Sequence, residues 1–224
     1  MQMDYLPRRA MDVHGSGGPR VLFWHGRGPN SRHRVARLAA AVAERGVTVY
    51  VPDWNSKAPD HGRSELLASV DFVRRETGDD LALAGWSMGA RSAVVVALAP
   101  ELVDGWRPRS VVGLATSLMQ SDPFDLRPAD LVGAASGPPF TFVHGTLDTI
   151  VDEAQVRALV SGLRAHGHGV TWRETPADHV GIVMASYDET AETTAPDNAL
   201  LLSAGEVCVA AVAAAALGAR LPDA

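Results

Sequence analysis

Ser87 lies in the run Gly85-Trp86-Ser87-Met88-Gly89, directly after the apolar segment Leu81-Ala82-Leu83-Ala84 and directly before a helical pattern over Met88 to Ala99. A serine at such a strand-to-helix turn is held in a strained conformation with its hydroxyl projecting above the sheet edge. The flanking glycines leave room for close backbone packing, and the new helix aims N–H groups and its positive dipole end at the same spot. An ordinary helix cap would explain Ser87 alone. It would not explain the paired glycines. A serine hydroxyl is a poor nucleophile at neutral pH and needs a base, so the chemistry implied is attack by Ser87 with help from elsewhere in the chain.

The chain has eight histidines. His179 is the best placed, in Pro176-Ala177-Asp178-His179-Val180-Gly181, a loop after the last strand-like run and ahead of the closing helix. Its orienting carboxylate cannot come from its own neighbour, which sets Asp178 aside. Asp148 fits, in the loop of Val143-His144-Gly145-Thr146-Leu147-Asp148. Ser87, Asp148 and His179 then stand on loops at one edge of a parallel sheet, the edge where ligands bind in such folds. The oxyanion formed on attack needs fixed donors. The backbone N–H of Met88 is one, and that of Arg27 in His25-Gly26-Arg27-Gly28 is the other. Each would supply roughly 3–4 kcal/mol to the transition state.

Other residues have plainer readings. His144 ends a strand and is expected to shape the acid loop locally. Asp152, with Gln155 three residues on, reads as a helix capping box rather than the acid. Asp122 and Asp125 are alternative acids on loop position alone. His166 and His168 lack carboxylates or cysteines at ligand spacing, so they read as solvated loop rather than metal ligands. Trp86 and Trp54 are candidates for pocket walls. Arg91, on a helix facing the sheet, is expected to pair with a carboxylate near the site or to reach solvent. An Arg27 side chain facing the mouth would favour an anionic substrate.

The elements that must hold these residues follow from periodicity. Strand-like runs at Val21–Trp24, Val47–Val51, Leu81–Ala84, Ser110–Leu114, Phe140–Val143 and Val170–Trp172 alternate with helical patterns at Ser31–Arg45, Ser64–Glu76, Met88–Ala99, Asp152–Ala165 and about Asn198–Leu217. The alternation predicts βαβ crossovers, hence an α/β fold with a mostly parallel sheet covered on both faces. No linker divides the 224 residues, so one domain over 1–224 is expected, with a short N-terminal extension at 1–19. A chain of this length buries roughly 70% of its unfolded surface. The long irregular stretch Ala115 to Pro139 is the only room for a partial lid.

Composition narrows the function classes. Twenty basic against 26 acidic residues give a net charge of −6, which argues against nucleic acid and anionic membranes as partners. The one cysteine, Cys208, excludes an internal disulfide. The apolar run Ala199–Leu217 carries Glu206 at mid-length and reads as a buried helix rather than a membrane span. The first residues have no apolar h-region, so a cytoplasmic protein is expected, either monomer or homodimer.

Strand–HG–x–G, strand–GxSxG–helix, strand–HGxxD and a late DH loop, in this order, resemble the α/β-hydrolase family. The small, lid-poor branch of dienelactone-hydrolase-like enzymes and carboxylesterases is most similar, and the likeness covers about Arg20 to Leu217. It implies Ser87 as nucleophile, Asp148 as acid and His179 as base, a small-molecule ester as substrate, and neither metal nor organic cofactor. Dienelactone hydrolases carry cysteine where Ser87 stands, and the oxyanion loop is HGRG rather than HGGG. The residues before Arg20 barely accommodate the family's first two strands, so a sheet trimmed at its N-terminal side and without a large cap is expected. The activity expected is hydrolysis of a carboxylic ester or thioester. Acyl transfer or perhydrolysis by the same residues, or ligand binding without turnover, are the alternatives.

Overall fold

A computed structural model describes residues 1–118, 123–133, 137–185 and 199–219. In chain order its strands are β1 (Gln2–Leu6), β2 (Arg9–His14), β3 (Arg20–Trp24), β4 (Thr48–Pro52), β5 (Leu81–Trp86), β6 (Val111–Leu114), β7 (Phe140–Gly145) and β8 (Val170–Thr175). Its helices are α1 (Ala36–Ala43), α2 (Arg63–Thr77), α3 (Met88–Leu98), α4 (Pro128–Leu131), α5 (Glu153–Ala165) and α6 (Ala199–Leu217). The strands form one sheet in the order β1-β2-β4-β3-β5-β6-β7-β8. From β4 to β8 every pairing is parallel, whereas β1–β2 and β2–β4 are antiparallel.

The expectation of a sheet trimmed at its N-terminal side, with only a short extension at 1–19, is therefore corrected. Residues 2–14 form a hairpin that extends the sheet beyond β4. The signal was weak because only Tyr5, Met11 and Val13 of the hairpin are buried. Its outer strand carries polar residues on both sides of that pattern, so no apolar run announces it.

Every residue of the central strand β5 is buried, as a strand covered on both faces requires. One face of the sheet is covered by α1 and α6, through Leu38, Ala39 and Val42 against Ala204, Cys208, Ala211 and Val212. The other is covered by α2, α3 and α5, through Leu66, Val70 and Val73, the valines of α3, and Val156, Leu159 and Leu163. The alanines of α6 let its backbone approach the sheet closely, so its apolar length is spent on core contacts. Among the described residues no helix is long and apolar enough to cross a membrane. Deleting one core side chain, as in Leu83→Ala, is expected to cost about 2–5 kcal/mol.

Two local expectations differ from the structure. The segment read as one helix from Ser31 begins as a 3₁₀ turn over Arg32–Val35, and α1 follows. Ser31 makes no side-chain cap; its hydroxyl donates to the Pro29 carbonyl at 3.3 Å. The stretch 115–139 contains the four-residue helix α4 and is tied down where described. The Arg91 guanidinium donates to the Leu126 carbonyl at 3.0 Å, and Arg63 lies over the Phe124 ring at 5.8 Å.

Candidate active site

Strand β5 ends at Trp86 and α3 begins at Met88, so Ser87 alone must make the turn. It does so at φ 57, ψ −117, a conformation that costs a non-glycine residue about 1–3 kcal/mol and persists only where the surroundings enforce it. Its N–H donates to the Leu114 carbonyl at 2.9 Å, and its own carbonyl accepts from Arg91 and Ser117, each at 3.2 Å. The turn needs its glycines for closeness. A Cβ on Gly85 would lie 2.4 Å from the Gly89 carbonyl carbon, and one on Gly89 would lie 2.3 Å from the carbonyl oxygens of Trp24 and His25.

His179 arrives from the loop beyond β8. His179 Nε2 is 3.0 Å from Ser87 Oγ, and His179 Nδ1 is 2.8 Å from Asp148 Oδ2. A carboxylate only accepts, so Nδ1 carries the proton and the Nε2 lone pair faces the serine hydroxyl, which donates to it. Asp148 is itself fixed: its Oδ1 accepts from the N–H groups of Ile150 at 2.8 Å and Val151 at 3.0 Å. Burial alone would raise the Asp148 pKa. The hydrogen bond from His179, the two backbone donors and the nearby imidazole outweigh it and hold the group below the usual carboxylate value. Neighbouring Asp178, set aside as the acid, accepts from the N–H groups of Val180 and Gly181 and so shapes the turn that carries His179.

The family model for the alpha/beta hydrolase family matches residues 13–223. The chain belongs to the alpha/beta hydrolase family. Among solved structures, this hydrolase is similar to esterase 2 of Thermogutta terrifontis. The form phosphorylated by paraoxon superposes with a TM-score of 0.76 at 14% identity over 100% of this chain and 96% of that one. The propionate-bound form gives 0.75 at 14% identity, and the apo form 0.76 at 14% identity, with the same coverage. At this identity the likeness speaks for the fold. A search of curated protein sequences returned no match.

In this alpha/beta hydrolase the loop after β3 runs against Ser87. A Cβ on Gly26 would lie 3.2 Å from Ser87 Cβ and 2.9 Å from the Trp86 ring. The next residue, Arg27, lines one cavity together with Met88, whose N–H at the helix start has no intrahelical acceptor. The loop is pinned by His25, which sequence reading passed over as part of a motif. His25 Nδ1–H donates to the Gly26 carbonyl at 2.7 Å, while Nε2 accepts from Trp54 at 3.2 Å and Ser31 at 3.4 Å. Burial pushes its pKa down to about 3, which keeps the ring neutral and Nε2 an acceptor.

Trp54 and Trp86, expected as pocket walls, have other positions. Trp54 is fully buried, stacks on His25 at 5.2 Å and donates from Nε1 to the His25 carbonyl. It is the floor under the loop that starts at His25. Trp86 donates from Nε1 to the His179 carbonyl at 2.8 Å, and its ring lies 5.4 Å from the imidazole. Both indoles act through their N–H groups, a role that residue type alone did not single out from simple packing.

The remaining candidates fall outside this constellation. Asp152 caps α5 by accepting from Ala154 at 2.9 Å. His144 stacks on Trp172 at 5.9 Å, and Nδ1, its buried ring nitrogen, has no hydrogen-bond partner among the described residues. His166 is exposed and bonds back to Gly162. His168, read as solvated, is buried: Nδ1 accepts from Gly137 and Nε2–H donates to the Val132 carbonyl. Among the described residues no metal-binding group of three or more His, Cys, Asp or Glu forms. Asp125 is exposed, and Asp122 lies outside the described residues.

A further network, invisible to motif reading, braces the site from the N-terminal hairpin. Arg9 pairs with Glu65 of α2 at 2.6 Å and donates to the Asn30 side chain at 2.8 Å. Glu65 in turn accepts from the Asn55 N–H at 2.6 Å. Residues 29 and 55 are joined by a single β-bridge, so one ion pair steadies both loops beside the nucleophile.

Proposed function

We propose that this chain is a serine hydrolase that cleaves a carboxylic ester or thioester through an acyl-enzyme on Ser87. The observation that carries this reading is His179 standing within hydrogen-bond reach of both Ser87 and Asp148. In the reaction, the Ser87 proton passes to His179 Nε2 as Oγ bonds to the acyl carbon. The imidazolium, stabilised by Asp148, then gives that proton to the leaving alcohol or thiol as its bond to the acyl carbon breaks. Water repeats the sequence, with His179 as base, and frees the acid.

The N–H groups of Met88 and Arg27 are assigned to the oxyanion, which the fixed helix start and the pinned HGRG loop would hold without reorganisation. The reading is supported by Thermogutta terrifontis esterase 2, which shares the fold and is phosphorylated by paraoxon. The test is intact-mass labelling with a fluorophosphonate. One adduct on the wild type and none on Ser87→Ala is the expected result. No adduct on a folded wild type would move ligand binding without turnover to first place.

A further inference from the structure

One cavity of about 230 Å³ is lined by Arg27, Ser56, Lys57, His61 and Met88, the last of which follows Ser87 in the chain. Two of these, Arg27 and Met88, are the residues assigned to the oxyanion, so the cavity adjoins the place proposed for it. Its remaining wall is the loop between β4 and α2. That loop is built rather than loose: the Gly28 N–H donates to Ser56 Oγ at 2.9 Å, Lys57 N–H to the Asn55 side chain at 2.9 Å, and His61 N–H to the Ala58 carbonyl at 2.8 Å.

The topology says which half of an ester enters it. Ser87 ends β5. The loops after β3 and β4 lie on one side of that strand, and Asp148 and His179, after β7 and β8, lie on the other. His179 must reach the leaving oxygen to protonate it, so the alcohol departs on the β7–β8 side. With the oxyanion held between Met88 and Arg27, the acyl chain is left pointing toward β3 and β4, into the cavity.

The chemistry of that cavity is cationic in a chain of net charge −6 whose only lysine is Lys57. Of its five lining residues Arg27 and Lys57 are cations and His61 adds an imidazole, and no carboxylate is among them. The nearest acid in sequence, Asp60, is committed to the N–H groups of Gly62 at 3.0 Å and Ser64 at 2.9 Å, where it caps the start of α2. Among the described residues Lys57 has no ion pair to neutralise its ammonium. A volume of about 230 Å³ suits a short acyl chain.

Granting the acyl-enzyme on Ser87, we propose that the acyl half carries its own carboxylate: the substrate class is half esters of short dicarboxylic acids. The free carboxylate lies against Lys57 and His61, and the ester carbonyl meets Ser87. Cleavage transfers the acyl group to Oγ and the proton to the alcohol; water then releases the diacid. The acidic surface repels such a substrate overall, so the local cations supply both attraction and orientation.

The test compares monoethyl glutarate with ethyl 4-carbamoylbutanoate, which has the same shape and no charge. At low ionic strength kcat/KM for the half ester is expected to exceed that for the amide by about tenfold, as two or three partly exposed charge contacts supply. The preference should shrink in about 0.5 M salt. Lys57→Glu should bring the ratio to one or below, and His61→Ala should lower it. Equal turnover of the two esters by the wild type, or an unchanged ratio in Lys57→Glu, overturns the proposal. So does turnover of neither ester, and fluorophosphonate labelling then separates the cases. If Ser87 is labelled, the substrate class alone is wrong; if it is not, the hydrolase reading fails beneath it.

Discussion

The indole N–H of Trp86 donates to the backbone carbonyl of His179 across 2.8 Å, joining two residues 93 positions apart. The bond links the end of β5 to the loop after β8, across two intervening strands. It holds the imidazole at the distance from Ser87 that proton transfer needs, independently of Asp148. Trp86→Phe keeps most of the ring's packing and removes only that donor. We expect kcat to fall by about tenfold with KM little changed, because a misplaced base weakens chemistry rather than binding. Steady-state kinetics on any turned-over ester would settle it; an unchanged kcat would show that the carbonyl contact is incidental.

The three residues of the proton path should fail as a unit. Ser87→Ala and His179→Ala are each expected to lose several orders of magnitude in kcat. Asp148→Asn, which presents an amide where Nδ1–H needs an acceptor, should lose about 10⁴-fold. The double variant Ser87→Ala/Asp148→Asn should be scarcely worse than Ser87→Ala alone. An Asp148→Asn protein near wild type would mean that another carboxylate orients His179.

His25 makes the fold acid-labile. Burial lowers its pKa in the folded state to about 3 from the ordinary histidine value of 6.5. The unfolded chain therefore binds the extra proton between those values, and stability falls as pH drops through that window. From pH 7 to pH 5 the loss from this group is on the order of 2 kcal/mol. Denaturant titrations at the two pH values should show it, and His25→Gln, which retains an acceptor near Trp54 and Ser31, should flatten the dependence. Asp148 acts in the same direction at lower pH, since its folded pKa is depressed and its contribution is lost only as pH falls through that value.

Gly26→Ala tests the oxyanion loop. The added methyl would press on the Trp86 ring at 2.9 Å and on Ser87 Cβ at 3.2 Å. The loop must retreat, carrying the Arg27 N–H with it. A loss of about 10²-fold in kcat is expected, comparable to removing one oxyanion donor, with a thermal midpoint close to wild type. A variant of unchanged kcat would show that Arg27 does not serve the oxyanion.

The elements from β3 onward, and the convergence of Ser87, Asp148 and His179, were legible because each rests on a short-range signal. β5 and α3 meet at a GxSxG turn, and the acid and base loops follow strands whose apolar runs are plain. What was not legible rests on partners far apart in sequence. Nothing local shows that the Trp54 indole belongs under His25, that Trp86 reaches His179, or that Arg9 finds Glu65. The hairpin at residues 2–14 was missed for a related reason: strand pairing with β4 stabilises it, and its own sequence contributes only alternate buried positions. The cationic wall was half seen through Arg27, while Lys57 and His61 join it only once the loop after β4 folds back on the HGRG segment.

The same hairpin decides what the sheet offers to other molecules at that edge. Without it, β4 would present Thr48–Pro52, an almost wholly buried apolar strand, as an open row of backbone donors and acceptors. Such a strand invites a second chain to add to it. With the hairpin in place the outermost strand is β1, five residues long, broken in register between Asp4 and Leu6, and polar at Gln2 and Asp4. A growing ribbon finds little there to extend. The residues that brace the catalytic loops through Arg9 thus also protect this flank against edge-to-edge polymerisation, and a form lacking residues 2–14 should aggregate before its loss of activity could be measured.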